Sequence, residues 1–472
     1  MSYICQMTAI SQDTIAAIAT PSGPGAIGVI RLSGNIAIKV ADTFFFGANL
    51  TKVEANTVHY GKIKGGDGQI IDECMATVFK APRSYTKENS VEISCHGSSF
   101  ILQEVMKLLL ASDGVRMADP GEFTQRAYLN GQFDLSQAEA VGDLIASTHA
   151  SSHALAMSQL RGSFSKMIRE LRDQLIEFAS LLELENDFGE EDVEFANRDQ
   201  LKTLLTTILS STTQLANSYD HGNAIKEGIS VAIVGSPNVG KSTLLNVLLN
   251  DEKAIVSNIP GTTRDAIEDT VVYDGIKFRF IDTAGLRETE DTIENLGIER
   301  TRQHLSTAQV VIYVDLVEED FNSIVKRYKE LNVRPNQDSI IILNKADTFD
   351  HACHSYDIEE SVSTLLNRTP TLSISAKERR HTDKLIQLLL ETVKKKQQLY
   401  GDILVTNIRH LNCLRQANES LNQCRDGLDN GVTSDFLAMD IRHANHQLSE
   451  IVGEISTDNL LDSIFSNFCI GK

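Results

Sequence analysis

The chemistry in this chain is concentrated in one stretch. Gly235-Ser-Pro-Asn-Val-Gly240-Lys241-Ser242 fits G-x-x-x-x-G-K-[ST], and Asn238, Val239 and Thr243 complete the loop. The glycines let the backbone wrap so that successive N–H groups face phosphate oxygens. A helix opening at this point presents its positive end to the same anion. Lys241 reaches the β- and γ-phosphates, and the Ser242 hydroxyl can ligate Mg²⁺. A chance strand-to-helix loop is the alternative. The apolar run Ile229–Val234 before the loop and the helically spaced Thr243–Leu249 after it supply the context the motif demands.

Three later stretches narrow the choice of nucleotide. Asp282-Thr283-Ala284-Gly285 follows the strand-like Phe278–Ile281, and offers a carboxylate for the Mg²⁺ shell and a glycine N–H for the γ-phosphate. Asn344-Lys345-Ala346-Asp347 follows Ser339–Leu343, which reads as a fully buried strand. A carboxylate there accepts two hydrogen bonds from a guanine edge, a donor pair that adenine lacks. Ser375-Ala376-Lys377 follows Leu372–Ile374 and would close over the base. The four motifs in this order resemble the translation-factor-like GTPases, so GTP is the expected nucleotide.

These motifs need elements to hold them. With 472 residues, about three domains are expected. Lys plus Arg is 44 against 64 for Asp plus Glu, a formal charge of −20. That argues against a general nucleic-acid coat, which needs clustered cations, though a local basic patch stays possible. Seven cysteines without a C-x-x-C pair read as thiols of a reducing compartment. No apolar run approaches the ~20 residues of a membrane helix. No basic, apolar leader opens the chain, so the expectation is a cytoplasmic protein.

Up to about residue 130 the pattern is α+β. Ile15–Ala19 and Ile27–Arg31 are strand candidates around a turn at 21–25, Val91–Cys95 alternates, and Phe100–Leu110 has helical spacing. On residue type alone Arg31 and Glu92 read as surface residues. His96, before Gly97, reads as a turn histidine because no second ligand lies near it. From 131 to 227 the spacing is helical, over Leu135–His149, Leu155–Ile168, Leu171–Leu184 and Leu201–Tyr219. The acidic stretch Glu185–Glu194 reads as a solvated loop. Lys394-Lys395-Lys396 reads as the end of a helix, where cations suit the dipole. Residues 403–460 are helical again, with Leu404, Leu411, Leu414 and Leu421 on one face. Helices on both sides of the nucleotide motifs imply a GTPase domain inserted into a helical one, which is easy when a domain's termini lie close together. The expected division is 1–130, 131–227, 228–390 and 391–472. The expected fold is multidomain α/β plus all-α, the GTPase part having a mixed, mainly parallel sheet.

The tail narrows the family. Phe468-Cys469-Ile470-Gly471-Lys472, taken with Pro120–Asn130, Asp134–Ala140, Gly261–Asp265 and Asp282–Glu288, closely resembles the MnmE (TrmE) family of tRNA-modification GTPases from about Asp13 to Lys472. The resemblance implies an N-terminal tetrahydrofolate-binding and dimerising domain, a discontinuous helical domain and an inserted GTPase domain. It implies a homodimer working with the FAD-dependent flavoprotein MnmG (GidA) as a heterotetramer. The reaction would place a carboxymethylaminomethyl or aminomethyl group on C5 of the wobble uridine of certain tRNAs. The carbon would come from 5,10-methylene-tetrahydrofolate, with 5-formyl-tetrahydrofolate as another form bound, and the nitrogen from glycine or ammonia. Matched folate positions are Arg31, Glu92, Gln132 and Lys472. Relatives often carry a base at position 132, so Gln132 implies a neutral hydrogen bond at most. Cys469 is a family candidate for thiol chemistry; as a residue it reads equally as a small buried side chain.

One gap in the GTPase motifs is physical. Ras-like enzymes orient the attacking water with a glutamine after Asp-x-x-Gly, and here Leu286 stands there. No arginine finger announces itself. The resemblance implies K⁺ in its place, bound by Asn238, Ser257, Ile259 and Thr262 within the 257–263 loop that also holds Asn258, Pro260 and Gly261. Thr263 would join Ser242 on Mg²⁺. Glu294, which by itself reads as a surface acid, matches the water-orienting residue. Arg264 and Arg287 match switch arginines and read as coupling residues. Two other readings stay open, a ribosome-assembly GTPase that binds rRNA and a folate-dependent one-carbon transferase with a regulatory GTPase.

Overall fold

The computed structural model describes residues 13–66, 68–187, 198–251, 269–281, 305–334, 337–348 and 352–471. Among these residues thirteen strands fall into two sheets. In chain order they are β1 (Thr14–Ile18), β2 (Ile27–Ser33), β3 (Phe45–Phe46), β4 (Thr57–Lys64), β5 (Ile70–Phe79), β6 (Ser90–His96), β7 (Val115–Met117), β8 (Ile229–Gly235), β9 (Asp269–Tyr273), β10 (Ile276–Phe280), β11 (Val310–Leu316), β12 (Asp338–Asn344) and β13 (Thr371–Ser373). The chain divides into two compact units, 1–145 with 158–206 and 419–472, and 146–157 with 207–418. The fold is multidomain, α/β plus all-α.

The first unit contains the seven-stranded sheet in the order β3-β4-β5-β6-β2-β1-β7. It is antiparallel except where β1 pairs with β7. Helices Ala37–Phe44 and Ser99–Leu110 supply Ala37, Val40, Ala41, Leu102, Val105, Met106 and Leu109 to the core over one face, against Ile30, Leu32, Val91 and Ile93. Antiparallel sheets commonly cover one face and leave the other to solvent. Here the outward face of the β3–β5 edge carries exposed apolar side chains, Phe46, Val58, Tyr60 and Met75, beside the Lys62–Glu73 ion pair, and Tyr60 lies directly across from Met75. Helices Glu122–Leu129, Leu135–Ala146 and Asp458–Phe465 bury Leu135, Ala138, Leu461 and Phe465 together. The long helix Ser163–Asp187 packs along helix Ser434–Val452.

The second unit is built on the sheet β13-β12-β11-β8-β10-β9, parallel throughout except for the β9–β10 hairpin. All of Ile229–Val234 is buried, as a parallel strand covered on both faces requires. The hairpin turns at Asp274 and Gly275, both in the left-handed region (φ 49° and 75°), the requirement of a two-residue type I′ turn. Its tip is fastened twice. The Gly275 carbonyl accepts from the Ser151 N–H at 3.0 Å, in the first turn of helix Ala150–Leu160. The Asp274 carboxylate accepts from Lys394 Nζ at 2.9 Å.

Several helix expectations need correction. Leu155–Ile168 is not one helix: it breaks at Gly162 (φ 83°), and the helix from Ser163 runs through Leu171–Leu184 without a gap. The first helix stops at Ala146, short of His149, whose Nε2 meets the Ile225 carbonyl at 2.8 Å. Leu404 is buried but precedes the helix that begins at Ile408. Lys394-Lys395-Lys396 does not end its helix, which continues to Tyr400. Instead Lys394 pairs with Asp274 and Lys396 with Asp338 at 2.6 Å, so carboxylates and not terminal carbonyls take the charge. His96 closes β6 with Nδ1 2.7 Å from the Asp72 carboxylate, and no group of three or more metal-ligating side chains gathers among the described residues. Residues 188–197 of the acidic stretch lie outside them. Among the described residues no helix is long and apolar enough to cross a membrane.

Candidate functional site: a phosphate loop tied to a base-recognition loop

β8 delivers the phosphate loop and helix Lys241–Leu249 receives it. Gly235 (φ 151°) and Gly240 (φ 96°) are needed as glycines, because a Cβ would strike the Val314 carbonyl at the first and the Asn344 amide at the second. Asn238 is exposed and sits at φ 59°, a conformation asparagine tolerates better than most residues. Lys241 Nζ donates to the carbonyls of Gly235 (3.0 Å) and Ser236 (2.7 Å), and burial pushes its ammonium below the usual lysine range. Ser242 and Thr243 follow in the first turn of the helix. A loop wrapped around a cation, with N–H groups at a helix start, fits a polyphosphate and its Mg²⁺.

Asn344, buried at the end of β12, binds this loop to the Ser375-Ala376-Lys377 turn. Its Nδ2 donates to the Val239 carbonyl at 2.8 Å, and its Oδ1 accepts from the Ala376 N–H at 3.0 Å. Lys345 takes a left-handed φ of 64°. Asp347 accepts from Ser375 Oγ at 2.6 Å, and that hydrogen bond holds its carboxyl below the usual range. Ser375 Oγ also accepts from the Glu378 N–H, which fixes the turn containing Lys377. Sequence reading had the residues but not the Asn344 link, which spans 105 residues.

Ser257, Asn258, Ile259, Pro260, Gly261, Thr262, Thr263, Arg264, Asp282, Thr283, Ala284, Gly285, Arg287, Glu294 and Lys472 lie outside the described residues.

A second constellation stands on the N-terminal sheet. Arg31 on β2 lies directly across from Glu92 on β6, and its Nε and Nη2 both donate to one carboxylate oxygen, at 2.9 and 2.8 Å. They are a half-buried ion pair, not the two independent surface residues that their types suggested. The Arg31 guanidinium lies 5.6 Å from the ring centroids of both Tyr85 and Phe123. Tyr85 hydrogen-bonds Thr124 Oγ1 at 2.9 Å and meets Phe133 edge-on at 5.7 Å. These aromatics were not singled out in the sequence, and nothing local marks them.

The chain's tail comes to this sheet. Gly471 (φ 92°) packs so closely on Ile18 and Ala19 that a Cβ would meet the Ile18 carbonyl at 2.6 Å. The Cys469 carbonyl accepts from the Gly121 N–H at 3.4 Å, and Cys469 itself is exposed, against its reading as a buried filler. Gln132 is exposed, with its main-chain N–H on the Ala127 carbonyl at 2.8 Å. A guanidinium–carboxylate pair between aromatic rings fits a flat heterocycle with adjacent donors and acceptors.

A family model described as the MnmE helical domain matches residues 135–469, and one described as the GTP-binding protein TrmE N-terminus matches 14–132. The chain belongs to the MnmE (TrmE) family. A protein of Bacteroides thetaiotaomicron named tRNA modification GTPase MnmE is 49% identical over 474 residues, spanning 98% of this chain and 100% of that one. One of the same name from Cytophaga hutchinsonii is 50% identical over 461 residues, spanning 98% of each. Another from Christiangramia forsetii is 48% identical over 472 residues.

Proposed function

We propose that this MnmE-family chain is a cytoplasmic K⁺-dependent GTPase that acts in tRNA wobble-uridine modification. With an FAD-dependent MnmG partner it would install the C5 carboxymethylaminomethyl or aminomethyl group, using a folate one-carbon unit. The single observation that carries the nucleotide half is Asn344, joined at once to the phosphate loop and to the Ser375-Ala376-Lys377 turn. That arrangement supports reading Asp347, hydrogen-bonded to Ser375, as the carboxylate that meets a guanine edge. Family membership over nearly the whole chain supports the tRNA half.

Lys241 and the loop N–H groups bind the phosphates. Ser242 and Thr263 would hold Mg²⁺, and Asn238, Ser257, Ile259 and Thr262 would hold K⁺, which supplies the positive charge a finger arginine gives elsewhere. Glu294 orients the water, and Arg264 and Arg287 couple the switch segments to the rest of the molecule. Arg31, Glu92, Gln132 and Lys472 bind the folate, with Cys469 beside it. Homodimerisation is supported by the exposed apolar row Phe46, Val58, Tyr60 and Met75 on the sheet edge, since edges of this kind are normally covered. The division 1–130, 131–227, 228–390 and 391–472 remains our reading of the domains.

The test has two arms. Nucleoside analysis of tRNA from a deletion strain loses the wobble C5 group if the reading is right; intact nucleosides with abnormal ribosome profiles would favour the assembly GTPase instead. Steady-state GTP hydrolysis in K⁺ and in Na⁺ should differ by roughly tenfold or more. Equal rates would remove the K⁺ assignment.

A further inference from the structure

We infer that Lys87 supplies the cation that grips the carboxylate end of a bound folate, beside the neutral Gln132. The inference rests on the folate reading above. Three observations converge on this lysine. First, Lys87 stands at φ 58°, a left-handed conformation that a side chain adopts at a cost and that glycine adopts freely. A lysine at such a position directs attention to what its side chain does.

Second, the ammonium is not needed as a staple. Its Nζ donates to the Gly131 carbonyl at 2.7 Å, in an exposed contact. Yet the segment before β6 is already bound to the same turn by Asn130 Nδ2, which donates to the Thr86 carbonyl at 2.7 Å. It is bound again by Thr86 Oγ1 to Ser33 Oγ at 2.6 Å and by Glu88 to the buried Arg126 at 3.3 Å. An ammonium has three donors, and a single carbonyl uses one of them.

Third, the charge is delivered to the right place. Gly131 is the residue before the neutral, exposed Gln132. Tyr85, two residues before Lys87, lies on Arg31 with one contact and on Phe133 with another. Tyr85 and Phe133 thus link the Arg31–Glu92 pair to the 131–133 segment that Lys87 touches. A folate likewise joins a flat pterin to glutamyl carboxylates, so a cation on that segment has an anionic group to meet.

Calorimetric titration of the full-length protein with 5-formyl-tetrahydrofolate, and with a tetrahydropterin lacking the aminobenzoylglutamate, tests this. Lys87→Gly should weaken the folate about fivefold, the scale of a solvent-exposed charged contact, and leave the tetrahydropterin unchanged. Its thermal midpoint should not fall, because glycine releases the left-handed strain. Gln132→Lys added to Lys87→Gly should restore the folate affinity, and Arg31→Ala should weaken both ligands. If Lys87→Gly binds folate like the parent while Arg31→Ala does not, the inference fails and the folate reading stands. If the parent binds no folate, or Arg31→Ala changes nothing, the folate reading itself fails. A lowered midpoint together with weaker tetrahydropterin binding would make Lys87 a structural staple and overturn the inference.

Discussion

Asn344 Nδ2 holds the Val239 carbonyl at 2.8 Å, and through that one bond the end of β12 fixes the phosphate loop. Asn344→Ala leaves the Val239 carbonyl and the Ala376 N–H without this partner, at about 1–3 kcal/mol for each buried group. GTP and GDP should both bind at least about tenfold more weakly, with the loss mainly in the dissociation rate. Stopped-flow release of a fluorescent guanine nucleotide measures it.

The carboxylate proposed to read the base gives a pH signature. Asp347 lies below its ordinary range because Ser375 Oγ donates to it. Guanine binding that needs the ionised form is therefore retained as pH falls through the ordinary carboxyl range, and is lost only at the depressed value. Ser375→Ala should move that acidic limb upward in pH. Asp347→Asn should exchange preference from guanine to xanthine, read as GTP against XTP hydrolysis.

The N-terminal domain carries a buried ionic cluster whose loss should be severe. Arg126, 3% exposed, reaches Asp13 (2.8 Å), Glu122 (2.8 Å) and Glu88 (3.3 Å). Arg126→Met strands those carboxylates at a cost of about 3–5 kcal/mol. For Glu122, burial raises the carboxyl, but hydrogen bonds from Arg116, the Asp119 N–H and Arg126 outweigh it and leave it lowered. A depressed value contributes stability above the ordinary carboxyl range and loses it as pH falls through the folded value. Denaturant midpoints taken from pH 7 downward should therefore decline more steeply for the parent than for Arg126→Met.

Thiol labelling gives a direct test of the tail. Among the described cysteines Cys74, Cys95, Cys413 and Cys424 are buried and Cys469 is exposed. Burial pushes the Cys424 thiol up to about 12, which suppresses its thiolate further. Iodoacetamide should modify Cys469 first of these five, as peptide mapping by mass spectrometry would show. If the tail borders the folate site, 5-formyl-tetrahydrofolate should slow that reaction.

What could be read from the sequence and what could not follow from how far apart the interacting residues are. The phosphate loop and its strand and helix are contiguous, so their pattern sufficed. Gly162 ended a helix that periodicity alone continued, because Leu155, Phe164 and Ile168 keep the spacing while the backbone between them reverses sign in φ. Arg31 and Glu92 looked like surface residues because their pairing is a property of strand register 61 residues apart, not of either neighbourhood. Lys394 and Lys396 looked like terminal charges because their partners, Asp274 and Asp338, come from other elements. The Tyr85, Phe123 and Phe133 surround had no local signature, since aromatic residues in a polar stretch are common.

The doubly fastened tip at Asp274 and Gly275 has a mechanical meaning. β10 is laddered to β8 as well as to β9, so the hairpin is part of the six-stranded sheet, and in the chain it lies between residues 252–268 and 282–304. Displacing its tip must either carry the Ser151 amide and the Lys394 ammonium along or part both contacts. The turn is thereby anchored at its tip as well as along its ladders.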